Sequence, residues 1–155
     1  MENRITIREA VTENDVAAFW EQLHAYHKRD IFPDSDDDEL EYFLGSGYHD
    51  RMMEIYSRPQ DRCFFLFFRR DGRDIGFAMP VLFTSEDGKC FIMEYCVYPE
   101  FRGNGTGREC AGVLLDWAKE RYKKPWSEQL PENDRLTVNG TTYVHWYDCI
   151  TDYIL

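Results

Sequence analysis

No apolar run in this sequence approaches the length of a membrane span, so a transmembrane helix is not expected. There is no CxxC pair either. The five cysteines, Cys63, Cys90, Cys96, Cys110 and Cys149, are odd in number and irregularly spaced. That disfavours a disulfide framework or a zinc site and fits reduced thiols. The opening Met1-Glu2-Asn3-Arg4 lacks the shape of a signal peptide. Together these absences lead to the expectation of a cytoplasmic protein without a membrane partner, in which the sequon Asn139-Gly140-Thr141 has no meaning. Positive charge is scarce: 18 Lys and Arg face 29 Asp and Glu, a net charge of −11. Nucleic acid, which needs a basic face, is not an expected partner. The acidic excess either attracts a cationic substrate such as an amine or serves solubility alone.

Several site motifs are also incomplete. Asp34, Asp36 and Asp38 imitate the start of an EF-hand loop, but its sixth position is Glu39 and its twelfth is Gly45, so calcium is not expected. Carboxylates at a helix N-terminus, where the dipole favours them, account for the cluster. His24, His27 and Asp30 could line one helix face around a metal. Two histidines and one carboxylate are a thin set, and ordinary surface or pocket histidines are the preferred reading, with no metal. Cys96 and Cys110 have no sequence-adjacent histidine to support a covalent acyl-enzyme.

What is present is a chain of 155 residues, 43% hydrophobic and 16% aromatic, expected to form one domain over residues 1–155 with a real core. Arg4 to Arg8 alternates as a strand. Thr12 with Asp15 marks a helix start, and Val16, Phe19, Trp20 and Leu23 share one face up to His27. Asp30 to Asp34 breaks that helix. A second begins near Ser35 or Asp36, is interrupted by Gly45 and Gly47, and resumes over His49 to Tyr56. The period then becomes that of a sheet. Cys63 to Arg69 reads as a buried strand, Asp71-Gly72 as a hairpin turn, and Asp74 to Thr84 as the return strand, with Pro80 at a bulge or an edge. After a turn at Ser85 to Gly88, Lys89 to Tyr98 forms the next strand.

That strand runs into Val97-Tyr98-Pro99-Glu100-Phe101-Arg102-Gly103-Asn104-Gly105-Thr106-Gly107, followed by a helical stretch from Arg108 to Arg121. Glycines at alternate positions let backbone N–H groups converge on an anion, and the helix adds its orphan donors and the positive end of its dipole. A P-loop would need Gly-Lys-Ser/Thr at its end, but Gly107 precedes Arg108-Glu109. A dinucleotide fingerprint would need glycine at position 108. Arg102, Gly105 and Gly107 instead fill Arg/Gln-x-x-Gly-x-Gly/Ala after Val-x-Pro-x-aromatic. This closely resembles the acetyl-CoA pyrophosphate loop of the GNAT superfamily of N-acetyltransferases.

The resemblance implies an α/β acyl-CoA N-acyltransferase fold, with a mixed, mainly antiparallel sheet flanked by helices. It implies acetyl-CoA as cosubstrate, held by Arg102, Gly103, Asn104, Gly105, Thr106, Gly107 and Arg108 at the pyrophosphate and by the backbone of Cys96, Val97 and Tyr98 along the pantetheine arm. The Val97 N–H would face the developing oxyanion. Glu94, pointing opposite to Val97 on the same strand, would take the amine proton or bind the ammonium group; otherwise it is a solvent-facing or salt-bridged carboxylate. Tyr147 is the positional match for the tyrosine that protonates the leaving thiolate, or else a hairpin aromatic. Phe32, with Pro33, lies where similar enzymes line the acceptor site.

The last third departs from the family pattern. The family places a helix where Asn139-Gly140 lies between β-rich runs, and the residues themselves favour a hairpin of Arg135 to Val138 against Thr141 to Tyr147. A missing element would leave a sheet edge open, so a homodimer with residues after Pro131 at its interface is expected. The function implied is acetyl transfer to a primary amine, on a small molecule or a peptide, by direct attack in a ternary complex. The alternative is a catalytically silent acyl-CoA-binding module used for sensing or assembly.

Overall fold

In the computed structural model, which describes residues 4–34, 36–59, 61–83, 89–121, 136–138 and 141–143, a five-stranded sheet separates two hydrophobic clusters. The chain forms strand β1 (Thr6–Glu9) and helix α1 (Glu13–Tyr26), which continues as a π turn (His27–Ile31). Helices α2 (Asp37–Leu44) and α3 (Ser46–Tyr56) follow. Then come β2 (Arg62–Cys63), β3 (Leu66–Arg70), β4 (Arg73–Phe83), β5 (Lys89–Val97), a 3₁₀ turn (Pro99–Phe101) and helix α4 (Thr106–Arg121). Strands β6 (Leu136–Val138) and β7 (Thr141–Tyr143) pair with each other. All described pairings are antiparallel. This is the mixed α/β architecture that the sequence predicts. Among the described residues no helix is long and apolar enough to cross a membrane.

The two sheet faces follow from the side-chain period. Phe65, Phe67, Phe77 and Met79 meet Phe19, Leu23 and Met52 from α1 and α3. Phe64, Leu66, Phe68 and Val97 meet Cys110 and Leu114 of α4 on the other face. Thr12 caps α1 by accepting the Asp15 N–H at 3.1 Å, as its position predicts.

Two expectations need correction, and two hold with added detail. The helix ends within Asp30 to Asp34 as expected, but it first widens into the π turn, closed by the Phe32 N–H on the His27 carbonyl at 2.8 Å, and stops before Pro33. Gly47 does not interrupt a helix but lies within α3, where a Cβ would stand 2.5 Å from the Tyr42 ring. The apolar run from Cys63 is two strands in one register against β4, Cys63 opposite Val81 and Leu66 opposite Ala78. The gap falls opposite Pro80, whose carbonyl accepts the Phe64 N–H but which has no N–H to return. Pro80 itself marks a bulge and not an edge. β4 is paired on both sides, and its register with β5 shifts between Met79 opposite Glu94 and Pro80 opposite Ile92.

Both predicted hairpins are present where they are described. Asp71 and Gly72 adopt φ of 51° and 74° between β3 and β4. β6 and β7 pair antiparallel, with Val138 opposite Thr141, as the expected hairpin requires. The Ser85–Gly88 turn and, apart from β6 and β7, the residues expected at a dimer interface lie outside the described residues.

Candidate active site

The loop after β5 is built by its backbone. The Tyr98 N–H makes the last rung with Ile75 O at 2.9 Å, and the 3₁₀ turn hands the chain to Arg102. Gly103, Asn104 and Gly105 then take φ of 98°, 54° and 79°, three left-handed residues in succession. Glycine adopts that conformation freely and asparagine tolerates it. The Gly105 carbonyl opens α4 by accepting the Glu109 N–H at 3.0 Å. The Thr106 N–H turns back to the Gly103 carbonyl at 3.1 Å, so Gly107 and Arg108 supply the orphan first-turn N–H groups that a phosphate site needs. Gly107 contributes space: a Cβ there would meet nothing within 4 Å.

A cleft of about 520 Å³ adjoins the loop, lined by Tyr26, Asp30, Tyr95, Cys96, Val97, Arg102, Gly103 and Gly107. Because Tyr98 donates to β4, alternation turns the N–H and C=O groups of Tyr95 and Val97 away from β4. Arg102 Nε donates to the Val97 carbonyl at 2.7 Å, and its Nη2 donates to Asp30 at 2.7 Å. Asp30 also accepts from Arg29 at 2.8 Å. The Arg29 hydrogen bond, with that of Arg102 added, holds the Asp30 carboxyl below its ordinary range despite partial burial. Burial pushes the Cys96 thiol up although Arg102 and Arg29 lie near it, and pushes Cys63 and Cys110 to about 12. These free thiols stay protonated and make poor nucleophiles.

Glu94 lies on the opposite face of β5 from Val97, as the strand period predicts. It is not a solvent-facing carboxylate: its side chain is 12% exposed. The Tyr48 hydroxyl donates to its Oε1 at 2.8 Å, and His27 Nε2 lies 3.0 Å from the same oxygen. Burial and the Glu94 charge push the Tyr48 phenol well above its ordinary value, so it remains a donor. Burial, then Glu94, raises the Tyr26 phenol to about 12. Phe32 stacks near Phe43 and His27, with ring centroids 4.9 and 6.1 Å apart, on the same side as Glu94.

The expected loop residues thus come together, with Thr106 buried beneath the loop, Arg108 in the first turn of α4, and Tyr98 against Phe77. Tyr147 lies outside the described residues. The sequence offered His24 and His27 as one pair, but they diverge. His24 lines a second cleft with Trp20 and His49, while His27 reaches Glu94. Among the described residues no group of three His, Cys, Asp or Glu converges as a metal site. The partners His27 and Tyr48 were missed, since neither stands in a recognisable motif.

The sequence profile of the acetyltransferase (GNAT) family matches residues 17–136. The chain belongs to the GNAT acetyltransferase family. No curated protein matches it. The GNAT match spans His27, Tyr48, Glu94 and the whole glycine-rich loop, and it ends at the first residue of β6. Membership indicates acetyl transfer as the general chemistry, and the mostly antiparallel sheet with its flanking helices is consistent with the GNAT fold.

Proposed function

We propose that this GNAT protein transfers an acetyl group from acetyl-CoA to a primary amine by direct attack in a ternary complex. One observation carries the reading. A single strand, β5, offers an outward backbone edge that leads into a phosphate cradle, and on the face opposite Val97 a largely buried carboxylate.

The residues fit the cosubstrate. The left-handed run at Gly103–Gly105 and the open start of α4 suit a pyrophosphate, and the outward groups of Tyr95 and Val97 suit an extended amide arm. Acetyl-CoA supplies the activated acyl group. The Val97 N–H would stabilise negative charge on the carbonyl oxygen, a fixed donor that needs no reorganisation. Free alkyl amines titrate near ~10.4, so the acceptor arrives as ammonium. Glu94 would take that proton and free the nitrogen lone pair, with Phe32 lining the acceptor side. Tyr147 stays the proposed proton donor to the leaving thiolate. The acceptor is an amine on a small molecule or a peptide, and most of the rate comes from positioning.

The silent acyl-CoA-binding alternative is less favoured, because binding alone gives no reason to bury an ionisable carboxylate opposite the cofactor edge. Release of free thiol from acetyl-CoA across a panel of primary amines tests the proposal.

A further inference from the structure

Tyr48 and His27 stand 46 and 67 residues from Glu94 in sequence, on α3 and on the π turn, yet both end on one carboxylate oxygen. An ionised carboxylate only accepts hydrogen bonds, so with Glu94 charged the His27 ring carries its proton on Nε2. Its other nitrogen, Nδ1, is buried without a hydrogen-bond partner among the described residues. An orphaned N–H is rarer in proteins than an under-used acceptor, so both ring nitrogens indicate the same tautomer. Phe32, Phe43 and Tyr48 box the ring at centroid distances of 6.1, 5.5 and 5.5 Å. The ring cannot turn away without displacing aromatic packing.

Oε2 of Glu94 takes no part in either bond. Two donors on Oε1 occupy that oxygen and prevent the carboxylate from rotating. We propose that His27 and Tyr48 are positioning residues that saturate Oε1 of Glu94 and dedicate Oε2 to the acceptor amine. The inference rests on the reading of Glu94 as the base. It explains the π turn as well: the widened helix begins at His27, and such turns are often found at functional sites.

The first test needs no acceptor. Long-range ¹H–¹⁵N NMR on the whole chain, with the His27 signals assigned by their loss in His27→Gln, should show a ring that carries its proton on Nε2. An Nδ1–H tautomer, which leaves Nε2 no proton to donate, overturns the clamp. The second test is thiol release from acetyl-CoA with the most active of phenethylamine, putrescine and lysine methyl ester. Glutamine at 27 keeps an N–H near Nε2, whereas leucine keeps volume without a donor. His27→Gln should stay within about threefold of the parent kcat, and His27→Leu and Tyr48→Phe should each lose roughly tenfold. KM for acetyl-CoA should be unchanged in all three. Equal losses in the glutamine and leucine variants mean a packing role only. Lost turnover in Glu94→Gln together with an Nδ1–H ring overturns the clamp alone. Unaltered turnover in Glu94→Gln overturns the base reading, and the clamp's purpose with it.

Discussion

Arg102, in the glycine-rich loop, reaches Asp30 in the π turn that follows α1 across 2.7 Å while its Nε holds the Val97 carbonyl, also at 2.7 Å. One side chain therefore ties the helix that carries Tyr26 and His27 to the edge of the strand that carries Glu94. The pairing is charge-assisted and shared with Arg29, so loop, helix and strand are held as one unit.

This unit gives a pH-dependent stability. Asp30 binds its proton less readily in the folded chain than in the unfolded one, because Arg29 and Arg102 stabilise the charged form. Its contribution is complete above the unfolded value near ~3.9 and is lost as pH falls through the lower folded value. Asp30→Asn should lower stability by roughly 0.5–1 kcal/mol at pH 7. Urea midpoints of parent and variant should draw together as pH falls below ~3.9 and on through the lower folded value. A gap that persists there would place the effect in packing and not in charge.

Gly105→Val should weaken CoA binding at least tenfold while the chain stays folded, as read by calorimetry and circular dichroism. A β-branched residue at φ of 79° is strained, and its side chain would project where a Cβ now meets nothing within 4 Å. Gly72→Val is the control: it has similar strain at φ of 74° but lies in the β3–β4 hairpin. It should lose stability without losing CoA affinity. Equal affinities for parent and Gly105→Val would remove the cradle from the account.

Gly76 is tested by stability. A Cβ there would stand 2.3 Å from the Cys96 carbonyl oxygen and 3.0 Å from Val97 Cα, both backbone atoms that cannot yield cheaply. Gly76→Ala should destabilise by about 1–3 kcal/mol, in the range of overpacked cores, and shift the thermal midpoint downward. It should also disturb the Tyr95–Val97 edge, so CoA affinity falls with stability. A melting curve that matches the parent's would show that β4 and β5 can separate freely.

The legible parts of this fold were those written in local chemistry. Asp71-Gly72 announced its turn, Thr12 its cap, and the spacing of Arg102, Gly105 and Gly107 the loop. Glu94 could be assigned to the face opposite Val97 because a strand has a strict period of two. The π turn was not legible: an i→i+5 bond at His27 leaves no mark on the apolar spacing of α1. Nor was the pairing of His27 and Tyr48 with Glu94, since long-range contacts carry no local signal. Pro80 suggested a bulge or an edge, and only the pairing of β4 on both sides decides between them.

Glu94→Gln keeps the shape and removes the basic oxygen. Turnover should fall by about 10² or more, with CoA affinity intact. The loss should be greatest at low pH, where more of the acceptor is ammonium and a base is needed most. A pH-independent loss would assign Glu94 to binding the acceptor and not to moving its proton.

The central claim is tested most directly by thiol release from acetyl-CoA, measured with the parent chain across a panel of primary amines. The account predicts release that depends on both acetyl-CoA and an amine, that yields one acetylated product per thiol, and that Glu94→Gln suppresses without loss of CoA binding. Tight CoA binding with no amine-dependent release from any acceptor, small-molecule or peptide, would contradict it and leave a silent acyl-CoA-binding module.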